Sequence, residues 1–153
     1  MIVTQEIKTT AEEFFEYLLR MQQRAIQTTS RGLVDFETIM QGITYECFTS
    51  RKKDTHYSIM MTVKPCIKNE LMDVTYRTKD AVVHYCYRLK DTPAGCEVTY
   101  SEESTPMKNG VEKTMGAFQS AMHERKARRQ AVKSIRAMEH AVHARNEHVL
   151  EKK

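Results

Sequence analysis

Between residues 43 and 104 apolar and polar residues alternate with a period of two, and this constrains the fold of the 153-residue chain more than any other feature. The alternation predicts five strands, at about 43–49, 56–67, 70–78, 81–90 and 95–103. The breaks are charged or turn-forming: 50–55, Lys68-Asn69, Lys79-Asp80 and Asp91-Thr92-Pro93-Ala94-Gly95. Connections this short join neighbouring strands as antiparallel hairpins, so the stretch reads as a meander. Pro65, inside the second of these strands, predicts a bulge, a bend or a sheet edge.

Helical patterning flanks the meander. Residues 2–8 alternate around Val3 and Ile7 as a first strand, and Thr10-Ala11-Glu12-Glu13 then reads as a capping box. Phe14, Phe15, Leu18, Met21 and Ala25 follow at helical spacing, predicting a helix over 10–26. Phe36, Ile39 and Met40 suit one short helical turn within 33–41. After Pro106 and Asn109-Gly110, Asn109 with Glu112 predicts the cap of a long helix over about 110–149. Its apolar stripe is Met115, Phe118, Met122, Ala131, Ile135, Met138 and Val142. Residues 124–129 are polar nearly all round, which predicts a kink, a change of partner or exposure there.

The order is that of one α+β domain spanning 1–153, long enough to fold without disulfides or metal. Cys47, Cys66, Cys86 and Cys96 are widely spaced without a Cys-x-x-Cys pair, which reads as reduced thiols in a cytoplasmic protein. The N-terminus lacks the basic start and apolar stretch of a signal peptide, and no apolar run approaches a membrane span, so no membrane insertion is expected. Residues 111–153 hold 10 Lys/Arg against 5 Asp/Glu. Such a basic helix could meet nucleic acid, anionic lipid or an acidic partner, yet its charge is mild and reads as a solvated face.

The alternation also predicts the interior. Aliphatic residues and cysteine place Ile43/Cys47, Ile59/Met61/Val63, Met72/Val74, Val83/Leu89 and Cys96/Val98 on the inward face. Phe48, Met60, Leu71, Val82 and Cys86 take the opposite one. Tyr45, Tyr57, Tyr76, Tyr85, Tyr87 and Tyr100 then all point inward. A buried hydroxyl without a partner costs about 1–3 kcal/mol, so six phenols on one face favour a cavity over a dry core. The alternative is a plain core with ring hydroxyls reaching water at strand ends. The predicted lining of a cavity for a small amphipathic ligand is Tyr45, Tyr57, Ile59, Met61, Met72, Val74, Tyr76, Tyr85, Tyr87, Val98, Tyr100, Met115, Phe118 and Met122.

At this point the chain resembles known families. Strand, helix, antiparallel meander and long C-terminal helix are similar to the START-like (SRPBCC, helix-grip) superfamily, which includes polyketide cyclases and pollen-allergen-type lipid binders. The opening Thr9-Thr10-Ala11-Glu12-Glu13-Phe14-Phe15-Glu16-Tyr17-Leu18 departs from it only at Thr9-Thr10, where Ala-Pro or Ser-Pro is common. More narrowly, Phe14-Phe15-Glu16-Tyr17-Leu18, Gly42-Ile43-Thr44-Tyr45, Val83-His84-Tyr85-Cys86-Tyr87, Val98-Thr99-Tyr100-Ser101-Glu102-Glu103 and Ala137-Met138-Glu139 resemble an uncharacterised family of Gram-positive bacteria, a domain of unknown function. The resemblance implies a curved antiparallel sheet wrapped around the long C-terminal helix, short helices after the first strand, and a pocket between sheet and helix. It also implies a link to β-glucoside metabolism, because members are often encoded beside phosphotransferase-type β-glucoside uptake genes. It carries over no catalytic residues.

Motifs for chemistry are sparse. The five glycines form no phosphate loop. His140, His143 and Glu147 lie near one helix face, but His-Ala-Val-His is no zincin motif, so no metal or other cofactor is expected. His84 and Cys86 share the outward face, the wrong place for a nucleophile serving the cavity. Tyr100 and Glu102 form an acid/base pair if both enter the cavity. Arg125, Lys126, Arg128 and Arg129 lack an aromatic stacking platform, which argues against nucleic acid. The sequence therefore favours non-enzymatic binding of a small amphipathic molecule. Two rivals stand beside it: a cyclase- or dehydratase-like enzyme in the same pocket, and an interaction module whose last helix pairs with a partner or, as a homodimer, with a second copy.

Overall fold

The computed structural model describes residues 1–29, 31–51, 55–108, 111–112 and 117–151, with side chains except at 49–51, 55–57, 111–112, 117–119 and 148–151. Strand β1 (Ile2–Ile7) leads into helix α1 (Ala11–Gln27), followed by short helix α2 (Phe36–Met40). Strands β2 (Ile43–Arg51), β3 (Thr55–Val63), β4 (Leu71–Arg77), β5 (Ala81–Thr92) and β6 (Gly95–Lys108) then form the meander. A short β7 (Val111–Glu112) precedes helix α3 (Ala117–Glu151). The sheet is antiparallel in the order β1-β6-β5-β4-β3-β2, with β7 on β6. The architecture is the α+β helix-grip fold, a curved sheet holding a long C-terminal helix.

Local chemistry sets the entry to α1. The Thr10 hydroxyl accepts from the Glu13 amide at 3.1 Å while a Glu13 carboxylate oxygen accepts from the Thr10 amide at 3.1 Å, closing the capping box. Asp91 adds an acceptor for the Ala11 amide at 2.9 Å, tying the helix start to the end of β5. Here the β5–β6 turn presses on β1: a Cβ at Gly95 would lie 2.1 Å from the Ile7 carbonyl oxygen, so only glycine fits. Thr10→Ala is expected to cost about 1 kcal/mol, a fall of roughly 2–4 °C in Tm measured by circular dichroism.

Several sequence expectations are corrected. The buried stripe of α1 runs through Phe14, Phe15, Leu18, Leu19, Gln22 and Ile26, while Met21 is 42% exposed. β3 stops at Val63, ahead of Pro65, whose ring packs at the Cβ position of Gly42. The strand expected to end at 103 continues through Pro106 to Lys108. Pro106 lies past the contact with the N-terminal strand, which ends where Met1 bonds Glu102, and among the described residues no backbone group there asks for an amide donor from it. Val111–Glu112 is strand, paired with Met107 and Lys108, where the sequence predicted the first turn of the long helix. The expected cap Asn109 lies outside the described residues.

α3 divides into two parts. Ala131, Ile135, Met138 and Val142 are buried, each about one helical turn from the next. Residues 120–126 and 128–130 are exposed, so the polar stretch at 124–129 produces exposure within an unbroken helix. Basic residues of α3 cover the open edge of β1: Arg128 donates to the Ile2 carbonyl at 3.0 Å, and Arg136 to the Glu6 carbonyl at 3.2 Å and to Gln5 Oε1 at 2.9 Å. Glu139 accepts from the Lys8 amide at 2.7 Å. The edge strand is thereby shielded, which is one way natural sheets prevent edge-to-edge pairing. No helix among the described residues is long and apolar enough to cross a membrane.

Candidate functional site

Alternation on β4, β5 and β6 turns Tyr76, Tyr85, Tyr87 and Tyr100 to one face, and sheet register makes them neighbours. Tyr87 sits directly opposite Tyr100, with ring centroids 4.9 Å apart. Tyr85 lies 5.9 Å from Tyr87 at 86° and 6.1 Å from both Tyr76 and Tyr100. Edge-to-face and tilted contacts of this kind satisfy the ring quadrupoles without stacking the rings flat. They also leave space above the rings.

That space forms three adjoining chambers. The first, of about 220 Å³, lies between Tyr87, Tyr100 and Glu102 on the sheet and Ala127, Gln130, Ala131, Ser134 and Met138 on α3. The second, of about 210 Å³, is bounded by Leu18, Met21 and Gln22 of α1 with Met72, the four phenols and Glu102. The third, of about 420 Å³, opens between Tyr76, Val83, Glu102 and Ser104 and the exposed half of α3, at His123, Lys126, Ala127 and Gln130. Together they fall in the size range of small-molecule sites.

Glu102 borders all three chambers and accepts a hydrogen bond from the Tyr100 hydroxyl at 2.7 Å. Both side chains thus enter the hollow, while neighbouring Glu103 is exposed on the other face. A second bond chain runs deeper: Tyr45 donates to Gln22 Oε1 at 2.5 Å, and Gln22 Nε2 donates to the Tyr85 hydroxyl at 3.3 Å. Gln22 is 7% exposed, and its amide supplies the partner that a buried phenol requires. Burial, then Tyr76 nearby and against the Gln22 hydrogen bond, pushes Tyr85 up to about 12. Burial, the hydrogen bond to Glu102 and its negative charge push Tyr100 far above the ordinary phenol value. Tyr45 and Tyr87 are raised chiefly by burial, and Tyr76 by burial and then by Glu102.

Of the residues expected to line a cavity, Met72, Tyr76, Tyr85, Tyr87 and Tyr100 meet at these chambers. Tyr45, Val74 and Val98 are instead buried in the apolar cluster that includes Phe14, Phe15 and Leu18, because α1 crosses that end of the sheet and fills it. Ile59 and Met61 are half-buried, Met61 packing against the same cluster. Met122 is 58% exposed: it continues the apolar spacing of α3 on a part of the helix that stands off the core. Met115 and the side chains of Tyr57 and Phe118 lie outside the described residues. Sequence reasoning missed Gln22, whose signal was a polar residue inside the stripe Phe15, Leu18, Leu19 and Ile26. It also missed Ser134, Gln130 and Ala127 on the chamber side of α3, which carry no comparable signal.

His84 and Cys86 are held within the sheet. Cys86, expected on the outward face, is only 4% exposed, because Asp73 and Ser101 flank it on the adjoining strands. Burial, then the Asp73 charge, pushes its thiol up, against the activation a nucleophile requires. His84 instead donates to Asp73. Among the described residues, no three His, Cys, Asp or Glu side chains group as metal ligands.

The fold has solved likenesses. It resembles an uncharacterised protein from Rhizobium leguminosarum, with a TM-score of 0.60 and 8% identity over 94% of this chain and 93% of that one. Ara h 8.0201 gives a TM-score of 0.60 and 7% identity over 94% and 97%. The di-domain ARO/CYC StfQ of the steffimycin biosynthetic pathway gives 0.56 and 10% identity, covering 93% of this chain and 48% of that one. At these identities the likeness is one of fold, START-like and helix-grip. No curated protein sequence matches. A family model described as a domain of unknown function (DUF3284) matches residues 1–122.

Proposed function

This chain belongs to the DUF3284 family, and from that premise and the phenol-walled hollow we propose that it binds a small amphipathic molecule in the cytoplasm without transforming it, residues 1–153 acting as one START-like unit. The observation that carries the reading is the set of adjoining chambers between sheet and α3, where apolar side chains such as Leu18, Met72 and Met138 alternate with phenol hydroxyls. Apolar burial supplies affinity and a few fixed polar groups supply orientation. The solved neighbours add the fold, no more.

Native mass spectrometry of protein purified from its own host tests the proposal. The expected result is a non-covalent adduct that leaves on denaturation, and Ala131→Trp, which takes up much of the 220 Å³ chamber, should lower its occupancy by roughly tenfold or more. Protein that arrives bare, with adduct-free spectra at every collision energy, would sink the reading. The proposed link to β-glucoside metabolism is read from the same adduct, as a mass that loses a hexose on fragmentation.

The 2.7 Å Tyr100–Glu102 bond favours one second reading, an enzyme in which this pair moves a proton within the hollow. It requires that the molecule bound to Glu102→Gln differ in mass from that bound to the unaltered protein. The interaction-module reading lacks the exposed apolar stripe it named, because Ile135, Met138 and Val142 are 1%, 9% and 4% exposed within the single chain.

A further inference from the structure

We propose that the ligand presents a hydroxyl or amine to Glu102, and that amphiphiles ending in a carboxylate are rejected. The inference rests on the binding reading and narrows it to a chemical class. Glu102 is where the three chambers meet, and among the described residues it is the one carboxylate in the walls of the two inner ones. Among the described residues those inner walls carry no lysine, arginine or histidine. A ligand filling either inner chamber therefore lies against a half-buried carboxylate, and the described cations nearest it stand outside those chambers: the Met1 ammonium, on the Glu102 backbone carbonyl at 3.1 Å, and His123 and Lys126 on the outer wall.

The neighbouring hydroxyls strengthen that bias. The Tyr100 proton is committed to Glu102 and the Tyr45 proton to Gln22, so neither can donate to an incoming anion. What remains on this pair is the second Glu102 oxygen and the lone pairs of Tyr100, acceptors that require a donor from the ligand. The Tyr76, Tyr85 and Tyr87 hydroxyls, Ser134 and Gln130 elsewhere on the walls can donate, so the bias against an anion comes from the Glu102 charge. Tyr76 and Tyr87, on either side, both feel the Glu102 charge in addition to their own burial, so its field reaches across the walls. His123 and Lys126 border only the outer chamber, on exposed positions of α3. A carboxylate would meet them in water, where an ion pair is worth little.

Calorimetric titration of the full chain at neutral pH with octylamine, 1-octanol and octanoate, each below its aggregation threshold, tests the inference with one tail and three head groups. Octylamine and octanol should bind at least about tenfold more tightly than octanoate, since like charges in a confined site are strongly disfavoured. Glu102→Gln should raise octanoate to the level of octanol and weaken octylamine, whereas Glu102→Asp, which keeps the carboxylate, should preserve the original order. Octanoate binding as tightly as octanol in the unaltered protein, or a Glu102→Gln variant that keeps the original order, would overturn the inference and leave the binding reading standing. Heat-silent titrations for all three probes, confirmed by unchanged thermal unfolding, would overturn both.

Discussion

Phe14→Ala should destabilise the protein by about 3–5 kcal/mol, a loss of roughly 6–20 °C in Tm. Phe14 is 0% exposed, in the first turn of α1, and its ring lies 6.1 Å from that of Tyr87 at a 56° tilt. Removing the ring costs its transfer free energy and leaves a void that the sheet cannot close, because the strands beneath are fixed by their ladders. The damage extends to the site. Tyr87 is a wall of both inner chambers, and without Phe14 behind it the ring is free to tilt away from Tyr100. Urea unfolding and calorimetry read the stability, and octanol affinity reads the wall. Phe48→Ala is the control: at 65% exposure on the outer face it should change stability by no more than about 0.5 kcal/mol. Equal effects for the two substitutions would mean that the two faces of the sheet have been assigned the wrong way round.

The same contrast explains what could be read before any coordinates. Phe48 and Tyr45 fall on opposite faces because strand geometry alone dictates the alternation, and the structure keeps that parity, with Tyr45 3% exposed. The capping box of Thr10 and Glu13 was legible for the same reason, since every atom involved lies within four residues. Gln22 was not. Its polar amide belongs in the α1 stripe only because Tyr45 and Tyr85, 23 and 63 residues away, bring hydroxyls to it. Met122 failed in the opposite direction: periodicity marks it apolar, but periodicity cannot say which half of a 35-residue helix reaches the sheet. Pro106 looked like a terminator because its place in β6 depends on where the contact with the N-terminal strand ends, at Met1 and Glu102. Convergence of the phenols followed from parity. The size of the hollow above them depends on sheet curvature and on the anchoring of α3 by Arg128 and Arg136, both tertiary.

Alkali should unfold this protein through its phenols, in a single transition beginning near pH 10. Tyr45, Tyr76, Tyr85, Tyr87 and Tyr100 are all harder to ionise in the folded chain, chiefly because burial disfavours the phenolate. A phenol whose folded value is raised holds its proton in the native state after the unfolded chain has lost it. Its contribution to stability is therefore complete below the unfolded value of about 10 and drains away as pH climbs, for Tyr85 until about 12. Tyr45 and Tyr87, 3% and 7% exposed, together remove about 3 kcal/mol of stability per pH unit in that window. Against a total stability of about 5–15 kcal/mol, the fold fails before these rings titrate in place. Phenolate absorbance and far-ultraviolet circular dichroism, followed together from pH 8 to 13, should show most of the phenolate signal arriving as ellipticity is lost. Tyr85→Phe should shift the midpoint upward, because it deletes one of the protons being linked. Five phenols titrating near pH 10 with the ellipticity unchanged would place those rings in open water, where they could wall no ligand site at all.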